Sequence, residues 1–198
     1  MGGEEKDNEI IKKSNERSLT HVFLEISQLD FSSLFVDDED FSDCSIDRQF
    51  SLLNESGNNV RVAINLNIVH DKQKNRLNVN FLIDFVDDED IVAEYNATFI
   101  RENEGGDCFI SDPQNFMQPF LHVRSKFSNL GVGSGCSKSI NSHLYPNLLK
   151  NVSSILQVKT IKYRVIDGSG GWSSRRALSE GFNQAGTNIY EKIFSIQD

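Results

Sequence analysis

Histidine, cysteine, serine and arginine are the side chains here most able to do chemistry, and their spacing offers little of it. The four histidines, His21, His70, His122 and His143, stand far apart. None falls in a His-x-His or His-Glu-x-x-His arrangement that would bring two imidazoles to one metal ion. There is no Gly-x-Ser-x-Gly elbow, and Cys44, Cys108 and Cys136 sit in no catalytic context. Gly131, Gly133 and Gly135 punctuate GVGSGCSKS, which has the glycine content of a phosphate loop but not its closing Gly-Lys-Ser/Thr. That run predicts a flexible lead-in to a helix. Arg175 and Arg176 follow Trp172 and a Gly-Ser-Gly-Gly run, where two guanidinium groups could hold the phosphate or carboxylate of an enzyme's ligand. The plainer alternative is the solvated start of a helix.

The hexapeptide FVDDED occurs at 35–40 and again at 85–90. A calcium loop needs oxygen ligands at alternate positions, a central glycine and a closing glutamate. Here the acids are consecutive, so each copy predicts a solvated acidic turn after a strand. On these grounds no catalytic residue, metal ligand or cofactor is expected, and the chain is expected not to be an enzyme.

The charge balance bounds the partners. With 29 acidic against 20 basic residues and a net charge of -9, general affinity for nucleic acid or anionic lipid is not expected. The apolar runs are too short to enter a membrane, and the N-terminus carries no signal pattern. Three widely spaced cysteines suit reduced thiols, so a cytoplasmic protein is expected.

What would position any functional group is a sheet. Val60, Val62, Ile64, Leu66 and Ile68 alternate with polar residues, as do Leu77, Val79, Phe81, Ile83 and Phe85, and then Ile91, Ala93, Tyr95, Ala97 and Phe99. A period of two puts apolar side chains on one face, and the three runs predict an antiparallel meander. Residues 22–31 predict a first strand, with 49–53 extending the second strand backwards, and 108–110 a short fourth strand. Ile140, Leu144, Leu148, Val152 and Ile155 mark the best helix, with Pro146 either kinking it or opening its first turn. Residues 158–165 predict a further strand, and 175–194 a weaker helix carrying Leu178, Phe182, Ile189 and Ile193.

Two stretches, VFLEISQLDFS at 22–32 and HLYPNLLKNVSSIL at 143–156, together with the meander between them, resemble the SecB family of export chaperones. The second opens on an aromatic–proline pair, Tyr145–Pro146, similar to that family's helix start. The resemblance implies an α+β fold with a four-stranded antiparallel sheet and helices packed on one face. The polar, Glu-, Lys- and Asn-rich residues 1–18 predict a flexible arm, and the resemblance makes 19–157 a SecB-like domain followed by an extension at 158–198. It implies a non-enzymatic chaperone or escort that assembles as a dimer or tetramer and binds unfolded or partner polypeptide segments. Phe116, Met117, Phe120, Phe127 and Leu130 are the candidate client-binding residues. The alternative is an accessory or phage-type interaction protein with one folded partner.

Overall fold

The computed structural model describes residues 4–87, 90–102, 108–111, 119–148, 151, 158–168 and 172–195. It opens on a helix, α1 (Glu4–Ser27), where the sequence predicts an arm and then a strand. Ile11, Asn15, Leu19, Val22 and Ile26 are all buried at spacings of three and four, which is a helical stripe. Asn15, a polar residue in that stripe, interrupts its reading as apolar. A one-turn helix, α2 (Phe31–Leu34), follows, capped by the side chain of Asp30 on the Ser32 N–H.

The strands are β1 (Val36–Asp37), β2 (Phe41–Leu53), β3 (Asn59–Asp71), β4 (Arg76–Phe85) and β5 (Ile91–Glu102). Next come β6 (Cys108–Ile110), β7 (Phe120–Val123) and β8 (Thr160–Ile166). The last two are β9 (Asn183–Gly186) and β10 (Ile189–Ser195). The expected meander forms in register: Leu66 lies opposite Phe81, and Phe81 opposite Tyr95. Val62, Ile64, Leu66, Ile68, Leu77, Val79, Ile83 and Phe99 have no exposed surface, so the period-two alternation marked the core face correctly.

The sheet has ten strands, ordered β1-β2-β3-β4-β5-β6-β8-β10-β9, with β7 also paired to β5. This overturns the four-stranded antiparallel, SecB-like sheet. It is a mixed sheet, because β6 and β8 pair parallel, and three strands from beyond 158, β8, β9 and β10, belong to it. Parallel neighbours need a crossover, and here it runs through β7, α3 (Val132–Ser139) and the helical chain beyond. The glycine run is therefore helix from Val132 onwards, with Gly131 at its cap at φ 80°.

After α3 the chain widens into a π-helical turn over Ile140–Leu144 before continuing as α-helix through Leu148. The Tyr145 N–H bonds to the Ile140 carbonyl, five residues back. Pro146 supplies the reason: it donates no N–H, and its ring presses on the carbonyl four residues earlier, which a widened turn relieves. The expected helix over 175–194 shrinks to α4 (Ser174–Ser179). Gly181 at φ 81° ends it, and the remaining residues form the β9–β10 hairpin.

Candidate functional site

β6 and β7 share one lane beside β5. Ile100 pairs with Ile110 of β6, and Asn96 with Phe120 of β7. β8 lies parallel to that lane but bonds only to its β6 part, through Thr160, Ile161 and Lys162 and a last bond from the Ser111 N–H to the Lys162 carbonyl. Beyond Lys162, among the described residues, no backbone pairing joins β8 to β7. Two parallel strands thus part at their carboxyl ends, the place where open sheets with helical crossovers form crevices. The chain from β7 enters α3, and the chain from β8 enters α4.

Those two helices border a groove of about 860 Å³, lined by Ser134, Lys138, Ser142, Ser173, Arg175, Arg176, Ser179, Glu180 and Gly181. The volume is in the range of small-molecule sites. Ser134, Lys138 and Ser142 recur every fourth residue and so face one way. Arg175 is exposed, and among the described residues no carboxylate pairs with it. A depression of about 600 Å³ beside α1, lined by Asp7, Asn8, Ile10, Ile11, Leu53, Glu55, Ser56 and Gly57, holds only acids among its charged residues. An anionic ligand would be repelled there and attracted to the α3–α4 groove.

Glu180, the one acid lining the groove among the described residues, is already committed. Its carboxylate takes the single proton of Ser137 Oγ, which lies 2.9 Å from both of its oxygens, and accepts one bond of 3.0 Å from Arg176 Nε and one from Asn141 Nδ2. Lys192 Nζ reaches the Glu180 carbonyl at 3.1 Å and the Asn141 carbonyl at 3.2 Å, tying β10 to both helices. Burial lowers the pKa of Lys192 from its ordinary value. The Arg176 guanidinium also sits 4.7 Å over the Trp172 ring. A carboxylate with this many donors is a structural clasp rather than a general base.

Beneath Trp172 the opening between β7 and β8 is filled. Tyr95, Leu121, Ile140, Asn141, Tyr163 and Trp172 leave about 10 Å³, space for one water at most. Tyr95 Oη lies 2.6 Å from Tyr145 Oη and 3.2 Å from Tyr163 Oη. Burial pushes all three phenols well above their ordinary value. The glycines at the start of α3 serve packing: a Cβ on Gly131 would lie 2.6 Å from the Lys12 carbonyl oxygen, and one on Gly135 would lie 2.8 Å from Leu19 Cδ1. They let α1 lie directly on α3.

Of the five candidate client-binding residues, Phe127 and Leu130 are buried in the core and Phe120 is exposed. Phe116 and Met117 lie outside the described residues. Arg175 and Arg176 do line the groove. Ser134, Lys138 and Ser142 escaped sequence reasoning, although their four-residue spacing was there to be read as the polar face of a helix. Among the described residues no group of three His, Cys, Asp or Glu side chains could hold a metal ion. No described helix is long and apolar enough to cross a membrane.

No protein-family model matches this chain, and no curated protein matches it. Among solved structures, the N-acetyltransferase PseH of Campylobacter jejuni is similar at 15% identity, over 61% of this chain and 69% of that one, with a TM-score of 0.30. A GNAT-family acetyltransferase of Bacillus anthracis is similar at 12% identity, over 59% of this chain and 65% of that one, with a TM-score of 0.31. A likeness at that level assigns no reaction to this chain. The four-stranded antiparallel sheet on which the SecB resemblance depended is absent. The SecB-like chaperone reading, and with it the readings as a non-enzyme and as an oligomeric binder of unfolded polypeptide, falls with that sheet and is withdrawn.

Proposed function

We propose that this chain is an enzyme that binds a phosphate-bearing small molecule along the groove between α3 and α4 and acts on a group that molecule carries. The observation that carries the reading is the lining of that groove: Lys138, Arg175 and Arg176 with four serine hydroxyls, in a chain whose net charge is -9. Guanidinium and ammonium groups beside hydroxyl donors are the standard chemistry for phosphate oxygens. The position agrees, since the groove lies where parallel strands release their crossover helices. A cytoplasmic, reducing setting belongs to the same reading and is supported by the three free, buried thiols.

Acetyl transfer, the activity for which the two similar solved proteins are named, sets acetyl-coenzyme A as the first ligand to test. Its phosphates suit the groove's donors. The space of about 10 Å³ between β7 and β8 has no room for its acyl arm, so no chemical step is assigned to that cavity. The test is calorimetric titration of acetyl-coenzyme A, coenzyme A and ATP into the full chain and into a Lys138→Ala/Arg175→Ala variant. At least one ligand should bind, and the double variant should weaken it about tenfold or more, the size expected for hydrogen bonds to charged groups. Binding unaltered by the two substitutions, or no binding at all, would contradict the proposal.

A further inference from the structure

Glu16 of α1 reaches across onto α3 and meets two of the groove's donors. One of its carboxylate oxygens accepts a hydrogen bond from Ser134 Oγ, and the other lies 3.7 Å from Lys138 Nζ. The Glu16 side chain is 24% exposed, so it stands at the groove's edge and within reach of solvent. The close approach is made possible by Gly135, where a Cβ would lie 3.2 Å from Glu16 Cα. The Ser134 hydroxyl and the Lys138 ammonium are therefore already holding an anion that the protein itself supplies.

We infer that Glu16 is a competing carboxylate, which occupies the anion seat at Ser134 and Lys138 and which a phosphate must displace to bind there. The inference rests on the phosphate reading of the groove and adds its selectivity. A carboxylate and a phosphate sharing the same two donors repel each other at contact distance. A singly charged ligand gains little by the exchange, whereas a multiply charged phosphate also engages Arg175 and outcompetes Glu16. Glu16 is thus a specificity-determining residue and touches no reacting atom.

The probe is inorganic pyrophosphate, titrated at low salt into the full chain and into Glu16→Gln and Lys138→Ala variants. Glu16→Gln keeps an oxygen for the Ser134 hydroxyl and removes the charge, so affinity should rise about tenfold. Lys138→Ala should lower it. Should Glu16→Gln not fold, Glu16→Asp, whose carboxylate is withdrawn by one methylene, should also bind more tightly than the unaltered chain. Affinity unchanged or reduced on removing the charge, with the unaltered chain still binding, would overturn the competitor role and leave the phosphate reading standing. No pyrophosphate binding by either chain, with acetyl-coenzyme A, coenzyme A and ATP also silent, would bring down both.

Discussion

Asn15 shows how much one polar side chain organises. Its Nδ2 donates to the Leu53 carbonyl at 2.9 Å and to the Leu130 carbonyl at 3.0 Å, and its Oδ1 accepts from the Leu53 N–H at 2.6 Å. It has no exposed surface, so it fixes α1 to the end of β2 and to the turn before α3 at once. Asn15→Leu would strand one donor and two acceptors away from water, at roughly 1–3 kcal/mol each before relaxation. We expect about 3 kcal/mol of lost stability, read as a lower urea midpoint with little change in slope; a loss under about 0.5 kcal/mol would contradict this role. The same residue explains why α1 was illegible in sequence. An asparagine in the middle of the stripe breaks its hydrophobic count, while residues 22–31 alone carry apolar residues on both parities and look like a buried strand.

At the scale of elements, β5, β8 and the turn before Pro146 meet through the phenols of Tyr95, Tyr163 and Tyr145, with Cys136 of α3 fully buried nearby in the same core. Burial raises all three phenols and pushes the Cys136 thiol up to about 12. The sign follows directly. An unfolded chain releases these protons at ordinary thiol and phenol values while the folded chain retains them, so stability must fall as pH rises. The contribution is complete below about pH 8.5 and is lost from about pH 9 upwards, by up to about 1.4 kcal/mol per pH unit for each titrating group. Urea midpoints at pH 8, 9.5 and 10.5 should therefore decline, with Cys136→Ala flattening the first part and Tyr145→Phe the later part. A flat profile would show that these groups are open to water. The meander strands were legible because each buries one face and repeats with period two. The β9–β10 hairpin was not, because Phe182, Ile189 and Ile193 also satisfy a helical spacing, and what decides against it is the positive φ of Gly181 and of Asn188 in the hairpin turn.

Over the whole molecule, the sequence carried the antiparallel half of the sheet and hid the parallel junction. Hydrophobic alternation marks which face of a strand is buried but not which strand lies beside it. The pairing of β6 with β8, separated by the crossover, had no local sign. The groove followed from that junction: Arg175 and Arg176 could be singled out beside their glycine run, whereas Ser134, Lys138 and Ser142 gain meaning only once α3 and α4 stand side by side. The phosphate-bearing ligand proposed above would occupy this groove. Amide hydrogen exchange with and without saturating acetyl-coenzyme A tests its location most directly. Slower exchange confined to residues 131–142 and 173–181 is expected; protection elsewhere, or none at a concentration where calorimetry records binding, would place the ligand outside the groove.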